Sequence, residues 1–235
     1  MHDLSTSLLL KKKLFFPVEN SPEFARLLGH AFFDGCVVAR EGKYILNYTN
    51  ASQNAVNFFI KLVKLKYGLN PSYCTDFKRH TTRIFTAEFY CKKLYFHLLN
   101  YSNSFSTKNE IGIPDLIKQG FDECKIQFLK AFWDDESCID VRGRLSGCSK
   151  SEKMIFDLVE LHAQFGIICT KSKNLKGISV LRILNNSRSI FAEKINFDFG
   201  IICRGYNKGR LKKDVLNSFI DGPVAQSGRA QDNCC

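Results

Sequence analysis

The stretch RLLGHAFFDGC, residues 26–36, has a distant echo in FLKAFWDDESC, residues 128–138. Each is an apolar, aromatic-rich helical pattern that runs straight into acidic residues. In the first, Ser21 of SPEF is a natural N-cap, Pro22 fits the first helical position and Gly35 follows the end. Asp34 therefore falls at a helix C-terminus, where the backbone dipole is already negative and a carboxylate is unfavourable. Glu136 repeats the oddity after Asp134 and Asp135, at the end of a helix that begins near Asp122. Four acids converging on two equivalent helix ends would repel one another unless a cation sat between them.

Working outward, the second half of the chain overlays the first. Asp34 pairs with Glu136 at a separation of 102, and Gly42 in REGK pairs with Gly143 in RGR, each able to turn a hairpin between short strands. Val56, Ile60, Val63, Tyr67, Gly68 and Leu69 match Met154, Leu158, Leu161, Phe165, Gly166 and Ile167 at a constant offset of 98. The apolar steps follow one face of an amphipathic helix, with a glycine as its stop. RIFTAEFYC and GISVLRIL are strand candidates. Leu94, Tyr95, Leu99, Asn100 and Tyr101 match Ile190, Phe191, Ile195, Asn196 and Phe197 in a closing helix. The expected fold class is α+β, with two pseudo-symmetric αββαββα repeats. The expected organisation is an N-terminal arm over 1–19, a first repeat over 20–102, a linker and lead-in over 103–121, a second repeat over 122–221 and a disordered tail over 222–235.

The 235 residues carry 34 Lys and Arg against 23 Asp and Glu, a formal charge of +11, so the surface field favours polyanions and makes nucleic acid the leading partner. The ten cysteines form no CxxC pair, which argues against zinc; they read as reduced, buried thiols of a cytoplasmic-type protein. The apolar part of LLLKKKLFF is too short to span a bilayer and is ordered unlike a signal peptide, so neither export nor a membrane span is expected.

With these residues in view, the chain resembles the LAGLIDADG endonuclease family in its two-motif, single-chain, archaeal or intein type. Leu27, Leu28, Gly29, Asp34 and Gly35 occupy the motif positions in the first copy. Leu129, Ala131, Asp134, Glu136 and Ser137 do so in the second, and IPDLIKQGFDECKIQFLKAFWDDE looks like the family's lead-in to a second motif. The likeness covers about residues 21–220. It implies motif helices packed at the central interface of a saddle, with Gly29 and Ala131 as the small residues where they meet. It also implies a monomer that cuts double-stranded DNA, with Asp34 and Glu136 as catalytic acids that hold divalent metal, Mg2+ or Mn2+. Ala131 and Ser137 stand where the family has glycine, and a positive φ at the second position would call for glycine.

The family also carries lysines beyond each closing helix that reach the cleavage centre; by position these are Lys108 and Lys208. Strand alternation makes Arg40, Lys43, Asn47, Lys78, Arg79 and Arg83 the DNA-reading candidates of the first half. Arg142, Arg144, Lys173, Lys176 and Arg182 are those of the second. His80 is placed to touch DNA, His30, His97 and His162 belong to packing or surface, and Trp133 belongs to the core beside the second motif. GPVAQSGRA looks like a translated transfer-RNA gene start, which hints at a mobile element beside such a locus. The expected activity is that of a homing endonuclease. The alternatives are a catalytically weak or inactive protein of the same fold acting as an intron RNA maturase or DNA-binding regulator, and a purely structural interaction protein.

Overall fold

The computed structural model describes residues 19–79, 82–106, 109–198, 200–203 and 207–220. Most of the expected arm, the whole tail over 222–235, Lys108 and His80 lie outside the described residues. The first repeat runs α1 (Pro22–Phe32), β1 (Gly35–Arg40), β2 (Lys43–Asn50), α2 (Gln53–Tyr67), β3 (Tyr73–Arg79), β4 (Thr82–Tyr90) and α3 (Lys92–Leu99). A short α4 (Asp115–Lys118) leads into the second: α5 (Asp122–Glu136), β5 (Ser137–Ile139), β6 (Leu145–Ser149), α6 (Glu152–Ala163), β7 (Cys169–Lys173), β8 (Ser179–Ile183) and α7 (Arg188–Lys194). A further helix, α8 (Lys212–Ile220), follows, with no counterpart after α3 among the described residues. The two antiparallel sheets have matching orders, β1-β2-β4-β3 and β5-β6-β8-β7.

The local chemistry explains the boundaries. Ser21 accepts the Phe24 N–H at 3.3 Å with Pro22 in the first turn of α1. Ser52 and Ser151 cap α2 and α6 in the same way, accepting from Ala55 and Met154 at 3.4 and 3.1 Å. These caps correct the helix register. The buried positions Ala55, Val56, Phe59, Leu62 and Val63 correspond to Met154, Ile155, Leu158, Leu161 and His162 at an offset of 99, not 98. The offset of 98 holds only at the stops, Gly68 and Gly166, both at positive φ, because α6 reaches its glycine one residue sooner.

At the seam, α1 packs on α5 where a Cβ added to Gly29 would lie 2.6 Å from the Ala131 Cβ. The two flanks of this contact, symmetry mates at an offset of 102, differ in chemistry. On one flank Arg26 and His30 of α1 meet Asp134 and Asp135 of α5. On the other their mates Phe128 and Phe132 of α5 meet Phe33, with Phe32 against Phe128, at ring separations of 5.2–6.2 Å. All eight residues are buried. One half of the seam is thus a buried charged network and the other an aromatic stack.

The segment that follows each repeat straps across the second helix of the other. Ser151 Oγ donates to the Ile111 carbonyl at 2.6 Å, and Ser52 Oγ donates to the Gly200 carbonyl at 3.1 Å. Ile113 N–H continues the first strap by donating to Asp157 on α6 at 2.8 Å. Trp133 is fully buried, and its indole N–H donates to His162 Nε2 at 2.8 Å while His162 Nδ1 donates to the Leu158 carbonyl. His30, His97 and His162 are all buried. Cys36 and Cys74 are exposed, against the expectation of burial, because both leave strands away from the helical layer or at its edge.

Two outcomes follow. Gly29→Ala forces the motif helices apart and lowers stability by roughly 1–3 kcal/mol in denaturant titration; adding Ala131→Gly restores most of it. His162 is held neutral, its pKa lowered to about 4 by burial. The unfolded imidazole takes up a proton below about pH 6.5, so stability from this group is full above that value and is lost as pH falls toward 4. His162→Gln should flatten the stability profile between pH 6 and 4 by about 1.4 kcal/mol per pH unit, read from melts across that range.

Candidate catalytic centre and nucleic-acid face

Asp34 lies in the turn between α1 and β1, half-buried, and its backbone carbonyl accepts the Thr49 N–H at 3.2 Å. Its Oδ2 accepts Asn50 Nδ2 at 2.7 Å. The orientation of that amide is set from behind, since Asn50 Oδ1 accepts the Ser52 N–H at 2.9 Å. The same nitrogen lies 3.3 Å from Asp135 Oδ1 and 3.3 Å from the Tyr48 hydroxyl oxygen. One carboxamide therefore touches the acid beyond α1 and an acid of the last turn of α5, so the two helix ends meet. Glu136, half-buried, is the final residue of α5.

The two other acids of the second motif are used up inside the protein and are not left to share a cation. Asp135 accepts His30 Nδ1–H at 2.7 Å and the Tyr48 hydroxyl at 2.6 Å. Arg26 Nε donates to His30 Nε2 at 2.9 Å, and its Nη2 pairs with Asp134 and with Asp198, the latter at 2.5 Å. Since arginine can only donate, His30 Nε2 is the acceptor and Nδ1 carries the proton. Burial holds the His30 pKa down at about 3, lifts that of Asp134 to about 6 against the pull of Arg26, and pushes the Tyr48 hydroxyl far above its usual range.

The C-terminus of α5 is closed by Lys212, which the sequence reading did not single out. Its buried ammonium donates to the Trp133 and Asp134 carbonyls at 2.9 and 2.8 Å and to Ser137 Oγ at 3.2 Å. A cation fixed on the last carbonyls offsets the negative helix end beside Glu136. Ser137 is extended, with φ −105°, and its hydroxyl donates to the Trp133 carbonyl, so no left-handed backbone is needed there. Gly35 is not at positive φ either; it is glycine because a Cβ would fall 2.5 Å from Ala31 Cα. Lys208 is exposed on a turn before α8.

Strand register sorts the expected DNA readers. Helices cover the face of the first sheet that carries Leu46, Tyr48, Ala87 and Phe89, leaving the opposite face open. Arg40, Lys43, Asn47 and Arg79 share that open face with Cys36. Lys78 and Arg83 pair with each other on the helix-bearing side, where Arg83 meets Asp76 at 2.5 Å. In the second sheet Arg182 is on the open face, bonded to Ser172 at 3.3 Å. Arg142 and Lys176 are exposed in the β5–β6 and β7–β8 turns, while Arg144 is tied to Asp140 at 2.5 Å. Lys173 leaves from the helix-bearing side and pairs with Glu152 of α6 at 2.8 Å. At the centre of the open face, Glu88 of the first sheet, bonded by Asn47 at 2.9 Å, is replaced by Arg182 in the second.

Among the described residues no group of three or more His, Cys, Asp or Glu could hold a metal unaided. Asp34 and Glu136 offer hard oxygen donors that suit Mg2+ or Mn2+ completed by phosphate oxygens and water. Among the described residues no helix is long and apolar enough to cross a membrane.

No protein-family model matches the sequence, and no curated protein matches it. Solved structures do. The homing endonuclease I-DmoI in complex with DNA and Mn aligns over 74% of this chain and 96% of its own, at 20% identity and a TM-score of 0.55. The homing endonuclease I-WcaI bound to its DNA recognition sequence aligns over 79% and 88%, at 13% identity and a TM-score of 0.55. The N-terminal LAGLIDADG domain of DUF199/WhiA aligns over 79% and 85%, at 12% identity and a TM-score of 0.55. The chain thus has the LAGLIDADG fold: two αββαββα repeats with their motif helices packed at the centre of a saddle.

Lys212→Met removes the donor that closes α5 and leaves carbonyls buried without their cation. It should cost about 2–4 kcal/mol of unfolding free energy in denaturant melts, with the open face unchanged.

Proposed function

We propose that the chain is a monomeric, site-specific homing endonuclease that hydrolyses double-stranded DNA with Mg2+ or Mn2+. The observation that carries this reading is the meeting of the two motif-helix ends at Asn50, which brings Asp34 into the neighbourhood of the α5 terminus that bears Glu136. The I-DmoI complexes with DNA that contain Mn or Ca support divalent metal at such a site.

In this reading the open faces of the two sheets seat the duplex through Arg40, Lys43, Asn47 and Arg79 on one side and Arg182, Arg142 and Lys176 on the other. Arginine reads guanine edges and lysine meets phosphate. Asp34 and Glu136 hold the metal, which when bound lowers the pKa of water and offsets charge on the leaving oxygen. Asn50 keeps the Asp34 carboxylate in place, and the Lys212 cation beside Glu136 steadies the end of α5.

The test is incubation with magnesium and a randomised duplex library. One site should be cut on both strands, and Asp34→Asn or Glu136→Gln should each lower the rate at least about 100-fold while salt-dependent duplex binding persists. Binding without any cut would instead mark a DNA-binding regulator, and preferential binding of intron RNA a maturase.

A further inference from the structure

The two halves match in fold but not in what stands behind their acids. Behind Asp34 runs a continuous hydrogen-bonded chain: Asn50 to Asp34, Asn50 and Tyr48 to Asp135, His30 to Asp135 and Arg26 to His30, every member between Asn50 and Arg26 buried. The mates of these residues cannot build the same chain behind Glu136. Tyr48 corresponds to Gly147 and Asn50 to Ser149, at the offset of 99 set by the Ser52 and Ser151 caps. Asp135 corresponds to Phe33, His30 to Phe132 and Arg26 to Phe128, at the offset of 102 set by Gly29 and Ala131. The exchange is reciprocal in space as well: a Cβ on Gly147 would fall 2.5 Å from the Phe132 ring, so the room that Tyr48 occupies beside His30 is filled by Phe132 on the other side.

We propose that Arg26, His30, Asp135 and Tyr48 are positioning residues for Asp34, acting through Asn50, and that they make the two cleavage centres unequal. The inference rests on the proposed nuclease function. A buried charge network is no gain in stability over well-packed apolar groups, and the aromatic flank of the same seam shows that this fold is served by phenylalanines there. What the network adds is orientation. The amide of Asn50 presents one N–H to Asp34 while the Ser52 N–H holds its oxygen and its second N–H faces Asp135 Oδ1 and the Tyr48 hydroxyl oxygen. Asp135 keeps its place because His30 and Tyr48 both donate to it, and His30 offers Nδ1–H because Arg26 occupies Nε2. A carboxylate restrained in this way loses less freedom on taking up a cation than one that must be ordered by it.

The experiment follows each strand of a doubly end-labelled cleavage site separately and titrates manganese into the full chain. Tyr48→Phe keeps the ring and removes the hydroxyl; Asp135→Asn replaces one of the two oxygens that accept from His30 and from Tyr48 with a donor amide. Each should slow one strand about tenfold, the worth of one hydrogen bond to a charged acceptor, and leave the other within about twofold. Each should also weaken the manganese site at Asp34 several-fold. Phe132→Leu, on the aromatic flank, serves as the structural control and should shift both strands equally or neither. Equal slowing of both strands by Tyr48→Phe and Asp135→Asn, or no slowing, in a wild-type chain that cuts overturns this inference and leaves the nuclease function standing. A wild-type chain that neither cuts nor holds manganese overturns both.

Discussion

The structure depends on the contact between Gly29 and Ala131. Two helices can approach this closely only where neither carries more than a methyl group, and here one carries none. Everything functional is referred to that point. Five residues further along each chain come Asp34 and Glu136, so the helical rise from a shared contact delivers both acids to one end of the seam. The sheets that begin next, β1 and β5, inherit their placement from the same contact and turn matching faces outward.

Much of this was legible in the residues, for reasons that are local. Ser21, Pro22 and Gly35 bracket a helix by capping chemistry alone, and the paired glycines Gly68 and Gly166 mark stops that need positive φ. Repetition made the duplicated order of elements readable without any knowledge of packing. The register of α2 against α6 was misread by one residue because apolar spacing is equally regular at offsets of 98 and 99, and only the serine caps separate them.

What stayed hidden was set by tertiary partners. Asp134 and Asp135 look identical to Glu136 in sequence, yet Arg26 and His30, 108 and 105 residues away, take them into the interior. Lys212 is one of several lysines in a polar stretch, and nothing local marks it as the group that caps a helix 75 or more residues earlier. Strand alternation named Lys78, Arg83 and Lys173 as DNA readers without fixing which face is open, and register sends them to the helix-bearing side, two of them into ion pairs with Asp76 and Glu152. Charge type is visible in a sequence; the side of a sheet on which it emerges requires the pairing.

The reciprocal straps give the molecule a property that neither repeat has alone. The Ile111 carbonyl rests on Ser151 of the second repeat, and the Gly200 carbonyl rests on Ser52 of the first. Each repeat thus lends its neighbour a piece of backbone and borrows one in return, as two people might knot each other's belts. Loosening either end uncovers the start of a helix in the opposite repeat, so the pair should melt in concert and a gene cut down to one copy would encode a fragment lacking part of its own wall.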